Sequence, residues 1–412
     1  MHKKWLLVIA VMCALGAEAQ KFKGLALTPP MGWNSWNTFQ TKISEKLVME
    51  TADSMVSSGM KDAGYMYIVL DDGWMTMERD KAGNLVPDPL KFPNGMKAVA
   101  DYVHSKGLKF GLYNCAGTKT CGGYPGTRGY EYQDARLYAS LDVDYLKFDW
   151  CSSEGINAKE AYTTMSKALS LAGRPIIFSL CEWGDNKPWE WAAEVGHLWR
   201  TTGDIYNCFD CIKNQGTWKA WGVVQIMDKQ KGLRKYAGPG HWNDPDMMEI
   251  GNGMSGNEER AHFSLWCMMA APLIAGNDLR SMNNQTRSIL TDQEAIAIGQ
   301  DSLGVQGFVI SQADSVDTWI KPLLYDEVAV CYFNRSRQPV NIHYNWKLNA
   351  VNDSISKTLI DFNKTTYEIR DIWAKKAVGT TDRIFSTVVP SHDVIMLRLT
   401  RSGIKKTKNS KQ

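Results

Sequence analysis

The feature that most constrains the fold of this chain is a regular alternation of short apolar segments with segments of helical periodicity. Eight apolar runs of strand type alternate with eight helical stretches over roughly 280 residues, a pattern typical of parallel sheets covered by helices. The predicted strands lie at 31–36, 67–72, 109–113, 145–149, 175–180, 197–202, 241–246 and 273–276. Two architectures carry this alternation, a (β/α)8 barrel and an open doubly wound sheet.

Polar residues favour the barrel, because they follow nearly every predicted strand and barrels keep their chemistry at the carboxyl ends of their strands. A doubly wound nucleotide-binding sheet would instead carry a glycine-rich phosphate turn after its first strand. The stretch Leu25–Asn37 contains no such turn. The sequence therefore predicts the α/β class, as a (β/α)8 TIM barrel.

The pattern changes near Ser311, where alternating apolar and polar residues replace helical periodicity. Such alternation appears in Thr318–Pro322, Val328–Phe333, Val340–Tyr344 and His392–Leu399. Polar turns separate these runs, which is typical of an antiparallel β-sandwich. We therefore expect a catalytic barrel over 20–305, a small C-terminal β-sandwich over 306–402 and a solvated basic tail over 403–412.

The amino-terminal residues have the composition of a signal peptide. His2–Lys4 is basic, Trp5–Leu15 is apolar, and Ala17–Ala19 fits a small-x-small cleavage site. The apolar run is short for a membrane span, and no later run reaches about 18 apolar residues. We expect residues 1–19 to be cleaved and the mature protein to be exported, either to a periplasm or to the medium.

Composition limits the partners that the chain can have. The 47 basic and 44 acidic residues leave a net charge of +3, which favours neither nucleic acid nor an acidic partner. Sixteen Trp and sixteen Tyr residues fill a large core for the most part, but their number mildly favours a carbohydrate ligand. Whether the chain forms a homo-oligomer is left open by these features.

The cysteine and histidine patterns do not favour a zinc site. Cys13 leaves with the signal peptide, and Cys208-x-x-Cys211 has no second pair or flanking histidine. Those two cysteines are either a local bridge or two buried thiols. None of the seven histidines pairs at metal spacing near the acids. We expect no metal and no cofactor, although magnesium on carboxylates stays open, and with it a metal-dependent barrel hydrolase.

The fourth predicted strand carries charges where an ordinary core strand would not. Side chains alternate along a strand, so Tyr145, Lys147 and Asp149 share one face while Leu146 and Phe148 share the other. Buried charges must be paired or serve chemistry. This strand therefore indicates an active site at its carboxyl end.

Acidic residues recur at the ends of several predicted strands. They are Asp71, Asp72, Asp149, Glu182, Asp204, Asp244 and Asp246. Like charges crowded in one cleft separate the pKa values of carboxyl groups, which suits one acid and one nucleophile. Hydrolysis of glycosides uses such a pair.

Seven motifs in order resemble those of glycoside hydrolase family 27, the family of α-galactosidases and α-N-acetylgalactosaminidases. They are MGWNSWN, LDDGW, GLYNCAG, YLKFDWC, SLCEWG, WRTTGDI and AGPGHWNDPDM, between residues 31 and 247. The resemblance implies a (β/α)8 barrel with a C-terminal β-sandwich that acts with retention at the anomeric carbon and without a metal.

The resemblance also implies roles for particular residues. Asp149 corresponds to the nucleophile and Asp204 to the general acid/base. The substrate-binding residues that it implies are Trp36, Asp71, Asp72, Tyr113, Cys121, Lys147, Cys181, Glu182, Trp183, Arg200, Asp246 and Met247. It implies a disulfide between Cys121 and Cys151, for which two free buried thiols are the alternative.

The implied activity is that of an exo-acting retaining α-galactosidase on α-galactoside carbohydrates. The Cys181–Trp183 wall and Asp72 resemble the galactosidase version of the family rather than α-N-acetylgalactosaminidases or β-L-arabinopyranosidases, which remain alternatives. A galactose-binding protein without catalysis is a further alternative, disfavoured because both acids are present. Trp150 and His241 depart from the family pattern, and we expect both bulky residues to lie beside the pocket, which leaves the substrate preference beyond the galactose ring open.

Overall fold

The structure is a computed structural model that describes residues 21–348 and 350–403. The predicted signal peptide and all of the predicted basic tail except Gly403 lie outside the described residues. No described helix has the length and apolar character needed to cross a bilayer.

The amino-terminal part of the chain contains ten described strands and nine described helices. The strands are β1 Met31–Asn34, β2 Tyr67–Val69, β3 Lys109–Cys115, β4 Tyr145–Asp149, β5 Ile177–Cys181, β6 Leu198–Arg200, β7 Ile212–Asn214, β8 Lys219–Trp221, β9 Trp242–Asp244 and β10 Leu273–Ala275. The helices are α1 Trp36–Phe39, α2 Glu45–Ser57, α3 Gly95–Ser105, α4 Glu131–Ser140, α5 Ala158–Ala172, α6 Val223–Asp228, α7 Gly256–Met268, α8 Asn284–Leu290 and α9 Gln293–Gly299.

Eight of these strands form one parallel sheet in the order β10-β1-β2-β3-β4-β5-β6-β9. The order follows the chain around the sheet without the reversal that a doubly wound sheet requires. The predicted (β/α)8 barrel is therefore confirmed, and the doubly wound alternative is wrong.

The barrel closes beyond the end of β9 rather than within it. Asp246 has a φ of +86°, which turns the chain after Pro245 and ends the strand. Pairing resumes at Met248, whose N–H donates to Ile274 O (2.7 Å) and whose carbonyl accepts from Gly276 N (3.0 Å). This bridge joins the segment after β9 to β10, which closes the circle of strands and leaves Asp246 displaced from the ladder.

The outer helices follow from their sequence signals. In α2 the Ser44 side chain accepts from Leu47 N (3.2 Å) as an N-cap, and the buried residues recur at helical spacing as Leu47, Val48, Thr51, Ala52 and Met55. Gly173, in the left-handed conformation with φ +80°, ends α5. These helices cover the outside of the barrel with apolar faces.

One predicted helix is wrong in its first part. Helical periodicity predicts a helix over 217–236, but residues 212–221 form the antiparallel hairpin of β7 and β8, and α6 begins only at Val223. The reason is tertiary, since Trp221 N donates to Asp204 O (2.9 Å) and so binds this segment to the loop after β6. The predicted last helix is likewise divided, because Asp292 caps a new helix through Glu294 N and Ala295 N.

The C-terminal part of the chain is the predicted antiparallel sandwich. Its strands are β11 Phe308–Ala313, β12 Val316–Pro322, β13 Val328–Asn334, β14 Val340–Tyr344, β15 Val351–Asp353, β16 Thr358–Ile360, β17 Tyr367–Asp371, β18 Lys376–Thr380, β19 Phe385–Val389 and β20 Val394–Arg401. Six form one sheet in the order β11-β12-β13-β20-β17-β18, and β14 pairs with β19. The predicted boundary at 305/306 falls between the end of α9 and the start of β11.

The two parts pack through α7, which contacts β12, β13 and β20. Ion pairs add to this contact, including Arg234 with Asp353 (2.7 Å) and Arg260 with Asp393. The buried Lys321 of β12 donates to the carbonyls of Cys267 (3.0 Å) and Ile298 (2.6 Å). The sandwich is thus attached to the side of the barrel formed by its last helices.

Candidate active site

The two acids implied as the catalytic pair face a single cavity of about 1370 Å³ at the carboxyl ends of the strands. Asp149 is the last residue of β4, and Asp204 lies four residues beyond the end of β6. Both line this cavity. Burial raises the pKa of Asp149, and the negative charge of Asp204 raises it further, as expected for two carboxyl groups that face the same cavity.

The interior of the barrel explains why the charged residues gather here. Tyr145 belongs to a small apolar cluster inside the barrel, while Lys147 and Asp149, on the same face of β4, line the cavity. Leu146 and Phe148 point outward into the large core under the helices. The predicted division of β4 into two faces is confirmed.

Asp149 is almost completely buried, and burial raises the pKa of its carboxyl to about 6. Lys147 opposes this rise through its positive charge, and the N–H of Trp150 donates to Asp149 Oδ1 (2.8 Å), which also favours the ionised form. The carboxyl is therefore ionised at neutral pH but close to titration in weak acid.

Asp204 is more accessible than Asp149 and is held by Arg200. Arg200 Nη2 donates to Asp204 Oδ1 (3.1 Å) and forms an ion pair with Asp246 Oδ2 (2.7 Å). The side chain of Asp204 is 37% exposed, whereas those of Arg200 and Asp246 are buried. Arg200 thus links Asp204, on the loop after β6, to Asp246, which lies where the barrel closes.

Asp246 is fixed by backbone donors as well as by Arg200. The N–H of Ile205 donates to Asp246 Oδ2 (2.8 Å), and the N–H of Met247 donates to Oδ1 (2.7 Å). Burial raises the pKa of this carboxyl to about 6, although Arg200 lowers it. Because Ile205 follows Asp204 directly, these bonds also orient the loop that carries Asp204.

On the other side of the cavity, Asp71 and Lys147 form a buried ion pair. Lys147 Nζ donates to Asp71 Oδ2 (2.8 Å), and Asn34 Nδ2 donates to the same oxygen (2.8 Å). Lys147 is therefore bonded to Asp71 rather than to Asp149, on which it acts only through its charge. The Lys147 ammonium also lies 5.2 Å from the centre of the Tyr113 ring.

Asp72 is held by the loop after β3, which a disulfide fixes in place. Gly122 N donates to Asp72 Oδ2 (2.7 Å), and Gly73 N donates to Oδ1 (2.8 Å). Burial raises the pKa of this carboxyl to about 6. The neighbouring Cys121 forms a disulfide with Cys151, two residues after Asp149. The free-thiol alternative for this pair is wrong, and Cys208 and Cys211 are bridged as well.

Not all residues implied as substrate-binding reach the cavity. The lining includes Trp36, Asp71, Tyr113, Cys121, Lys147 and Trp183, together with the catalytic candidates. Asp72, Cys181, Glu182, Arg200, Asp246 and Met247 are buried and are not among these lining residues. They contact lining residues or hold the loops that carry them.

Glu182 is the clearest case of a residue turned away from the cavity. Its Oε2 accepts from the N–H (2.7 Å) and Nδ2 (2.9 Å) of Asn186, and its Oε1 is buried without a partner among the described residues. Burial raises the pKa of this carboxyl to about 7. The side chain closes the turn 182–186, which positions Trp183 with a φ of +62° at the cavity wall.

The two departures from the family pattern do not lie where we expected them. Trp150 stacks on Tyr162 of α5, with ring centres 5.6 Å apart, and belongs to the core under the helices. His241 stacks near Trp199 at the amino end of β9, opposite to the end that carries the cavity. The expectation that they lie beside the pocket is therefore wrong.

The sequence reasoning missed part of the cavity wall, above all the hairpin of β7 and β8. Its residues Gln215, Thr217, Trp218, Lys219, Ala220 and Trp221 line the cavity, as do Tyr206 and Trp189. A signal was present, because Gly216, with a φ of +89°, supplies the turn between two short strands. Helical periodicity over the same residues concealed it.

One group of possible metal ligands occurs among the described residues, namely Cys121, Asp149 and Cys151. Two of its three members are the cysteines of a disulfide, so their sulfur atoms are not available as thiolates.

Comparisons with known proteins agree along both parts of the chain. The profile of a family described as "Alpha galactosidase A" matches residues 28–301, and that of an "Alpha galactosidase C-terminal beta sandwich domain" matches residues 313–399. "Alpha-galactosidase A" of Cellvibrio japonicus is 55% identical over 393 residues, which cover 95% of this chain and 97% of that protein.

Solved structures agree in fold as well as in sequence. α-Galactosidase I of Mortierella vinacea superposes with a TM-score of 0.84 at 34% identity, covering 91% of this chain and 98% of that one. The α-galactosidase of Saccharomyces cerevisiae with raffinose superposes with a TM-score of 0.83 at 31% identity, covering 92% and 99%.

Proposed function

The chain belongs to the α-galactosidase family of glycoside hydrolases, and from that premise we propose that it is an exo-acting, retaining α-galactosidase. It would release terminal non-reducing α-D-galactosyl residues from oligosaccharides or polysaccharides. The observation that carries the proposal is the pair Asp149 and Asp204, which share one cavity and differ in burial. No metal or cofactor takes part in the proposed reaction.

In the first step, Asp149 attacks the anomeric carbon while Asp204 gives its proton to the glycosidic oxygen. The bond between the anomeric carbon and that oxygen breaks, the leaving saccharide departs, and galactose stays as an ester of Asp149. In the second step, Asp204 takes a proton from water and the water oxygen attacks the anomeric carbon. The ester bond breaks, and galactose leaves in the α-configuration.

The cavity supports galactose as the sugar through its pair of adjacent acids. We propose that Asp71 and Asp72 bind the 4- and 6-hydroxyls, with Lys147 pairing the first of these acids. Charge-assisted hydrogen bonds of this kind discriminate strongly, and the axial 4-hydroxyl is what separates galactose from glucose. Trp36 would stack on the apolar face of the ring.

The 2-hydroxyl would lie on the side of Arg200 and Trp183. Arg200 is fully buried and its Nε has no partner among the described residues, so a donor remains on this side. Cys181, Asp246 and Met247 would support the same wall, and Glu182 would hold the turn that positions Trp183. A bulky tryptophan at this position favours a hydroxyl over an acetamido group.

The test is the turnover of α-galactosides by variants of the catalytic pair. We expect Asp149→Ala to abolish turnover and Asp204→Ala to lower kcat by about 10²–10⁴-fold, while the exposed Asp62→Ala serves as a control with full activity. Added azide should give β-galactosyl azide with Asp149→Ala on an activated substrate and α-galactosyl azide with Asp204→Ala. Full activity of either variant would exclude the assignment.

Two further measurements decide between this proposal and the other members of the family. NMR of the first product should show α-galactose, since β-galactose would mean inversion. A panel of aryl glycosides with chelator present should show preference for α-galactoside over β-L-arabinopyranoside and α-N-acetylgalactosaminide. Loss of activity in chelator would instead support a metal-dependent hydrolase.

We also propose that the protein is exported after cleavage of residues 1–19. The two disulfides support this, because such bonds persist mainly in oxidising compartments. Sequencing of the amino terminus of protein recovered from outside the cytoplasm should begin at Gln20. A product that retained Met1–Ala19 would contradict the proposal.

A further inference from the structure

The hairpin of β7 and β8 is bonded directly to the backbone of the proposed acid/base residue. Trp221 N donates to Asp204 O (2.9 Å), and Tyr206 N donates to Trp221 O (2.8 Å). Ile205 therefore forms an isolated parallel bridge with Trp221 of β8, which joins the loop that carries Asp204 to the hairpin. Whatever binds to this hairpin lies at a fixed position relative to Asp204.

The base of the hairpin is fixed by a disulfide and backbone hydrogen bonds, and its tip is fixed by a backbone hydrogen bond. At the base, the Cys208–Cys211 disulfide is joined to α6 by Gly222 N donating to Cys211 O (2.8 Å) and Val223 N donating to Cys208 O (3.1 Å). At the tip, Gln215 N donates to Trp218 O (2.9 Å). This bracing gives the hairpin a defined shape without a ligand, which lowers the entropic cost of binding one.

The hairpin presents aromatic rings to the cavity. Trp218 and Tyr206 are 49% and 37% exposed, and both line the cavity together with Trp221. The Lys229 ammonium lies 4.3 Å from the centre of the Trp221 ring and holds that ring in place. Clustered exposed aromatic side chains mark binding surfaces rather than core.

The size of the cavity and the position of Asp204 in the proposed reaction both indicate that the leaving saccharide binds at the hairpin. At about 1370 Å³ the cavity exceeds the roughly 300–1,000 Å³ of ordinary small-molecule pockets, so it has room for more than one sugar ring. In the proposed reaction Asp204 protonates the glycosidic oxygen, and the leaving saccharide must therefore extend from the galactose on the side of Asp204. The hairpin is the element next to Asp204 on that side.

We propose that the hairpin 212–221, with Tyr206, is the binding platform for the leaving saccharide, and that Trp218 stacks on one of its hexose rings. The inference rests on the proposed function and extends it to a substrate class. The preferred substrates are α-galactosyl oligosaccharides or polysaccharides in which several hexose units follow the terminal galactose.

The test compares substrates whose leaving groups differ in length. Galactose release is measured from methyl α-galactoside and from α-galactosides that carry one, two or three further hexose units. For the wild-type protein we expect kcat/KM to rise with length. In Trp218→Ala the ratio of kcat/KM for the longest substrate to that for the methyl galactoside should fall by roughly five- to tenfold, because the stacking contact is lost.

Two variants make the comparison specific. Trp218→Phe keeps an aromatic face and should retain most of the length preference, which a loss of folding would not allow. Tyr325→Ala, a highly exposed aromatic in the sandwich, should leave both values as in the wild type.

Equal losses on short and long substrates, or no loss on either, would overturn the inference while leaving the proposed function intact. If the wild-type protein released galactose from none of these substrates, the proposed function would fail and the inference with it.

Discussion

Asp149 is buried, yet its carboxyl must be ionised for the residue to act as the proposed nucleophile. Its carboxyl is almost fully enclosed, and burial raises its pKa to about 6 despite the nearby Lys147. A group whose pKa is higher in the folded than in the unfolded protein lowers stability once it ionises. The protein therefore bears this cost at neutral pH, where the nucleophile must be charged to act.

This shift predicts the acid side of the pH profile. Because Asp149 must be ionised to attack, kcat/KM should fall as pH decreases through about 6. Asp72 and Asp246, whose pKa values are also raised to about 6 by burial, should make the fall steeper than that of one group. The measurement is kcat/KM for methyl α-galactoside between pH 4 and 8. An acid side centred near pH 4 would contradict the prediction.

Glu182 and Arg200 show how residues behind the cavity lining act on the site. Glu182 bonds Asn186 and so shapes the turn that carries Trp183. Arg200 bonds both Asp204 and Asp246. Neither lines the cavity, so the positions of the side chains at its surface depend on groups behind them.

At the scale of elements, the loop after β3 depends on its disulfide. Cys121–Cys151 ties this loop to the chain just beyond Asp149, and Gly122, next in sequence, donates to Asp72 Oδ2 (2.7 Å). The bridge therefore connects the proposed nucleophile strand with the residue proposed to bind the sugar hydroxyls.

Removing this bridge should weaken both stability and substrate binding. The bridge spans 30 residues, so the Cys121→Ser/Cys151→Ser variant should lose roughly 3–4 kcal/mol of unfolding free energy. We expect KM to rise about tenfold as Asp72 loses its orientation. Denaturant melts and steady-state kinetics measure the two effects.

The second disulfide is the matched control for stability. Cys208 and Cys211 are only three positions apart in the sequence, so their bridge restricts the unfolded chain much less. Cys208→Ser/Cys211→Ser should therefore cost less unfolding free energy than the first variant. The reverse order would show that loop closure does not account for the effect.

At the scale of the molecule, ion pairs with buried carboxylates hold the sandwich against the barrel. Arg234, beside the barrel, forms two bonds with Asp353 of β15 (2.7 and 2.9 Å). The side chain of Asp353 is 1% exposed and that of Arg234 is 16% exposed. Such a pair is costly to break from one side, because the remaining charge is left without a partner.

Asp353→Ala should therefore destabilise the protein by about 3 kcal/mol. An exposed pair provides the control, since Lys46 pairs with Glu50 on the surface of α2 and is 83% exposed. Lys46→Ala should cost about 0.3–0.5 kcal/mol. Denaturant melts of the two variants measure the difference, and losses of equal size would contradict the role given to the buried pair.

The sequence by itself determined the barrel, the sandwich, the family and the location of the acids. These features depend on local patterns. The alternation of side chains along β4 places Asp149 and Phe148 on opposite faces of the strand, and acids at strand ends gather at the end of the barrel that holds the cavity. Seven short motifs in the order of the resembled family carried the rest, including the partners Cys121 and Cys151.

Only the tertiary structure decided which side chains reach the cavity. The hairpin at 212–221 forms because Trp221 bonds the backbone of Asp204, a contact that helical periodicity does not reveal. Glu182 turns to Asn186, Trp150 turns to Tyr162, and the barrel closes at Met248. Each outcome depends on contacts between residues that the fold brings together. These contacts stabilise the observed conformation more than the local sequence preference favours another one.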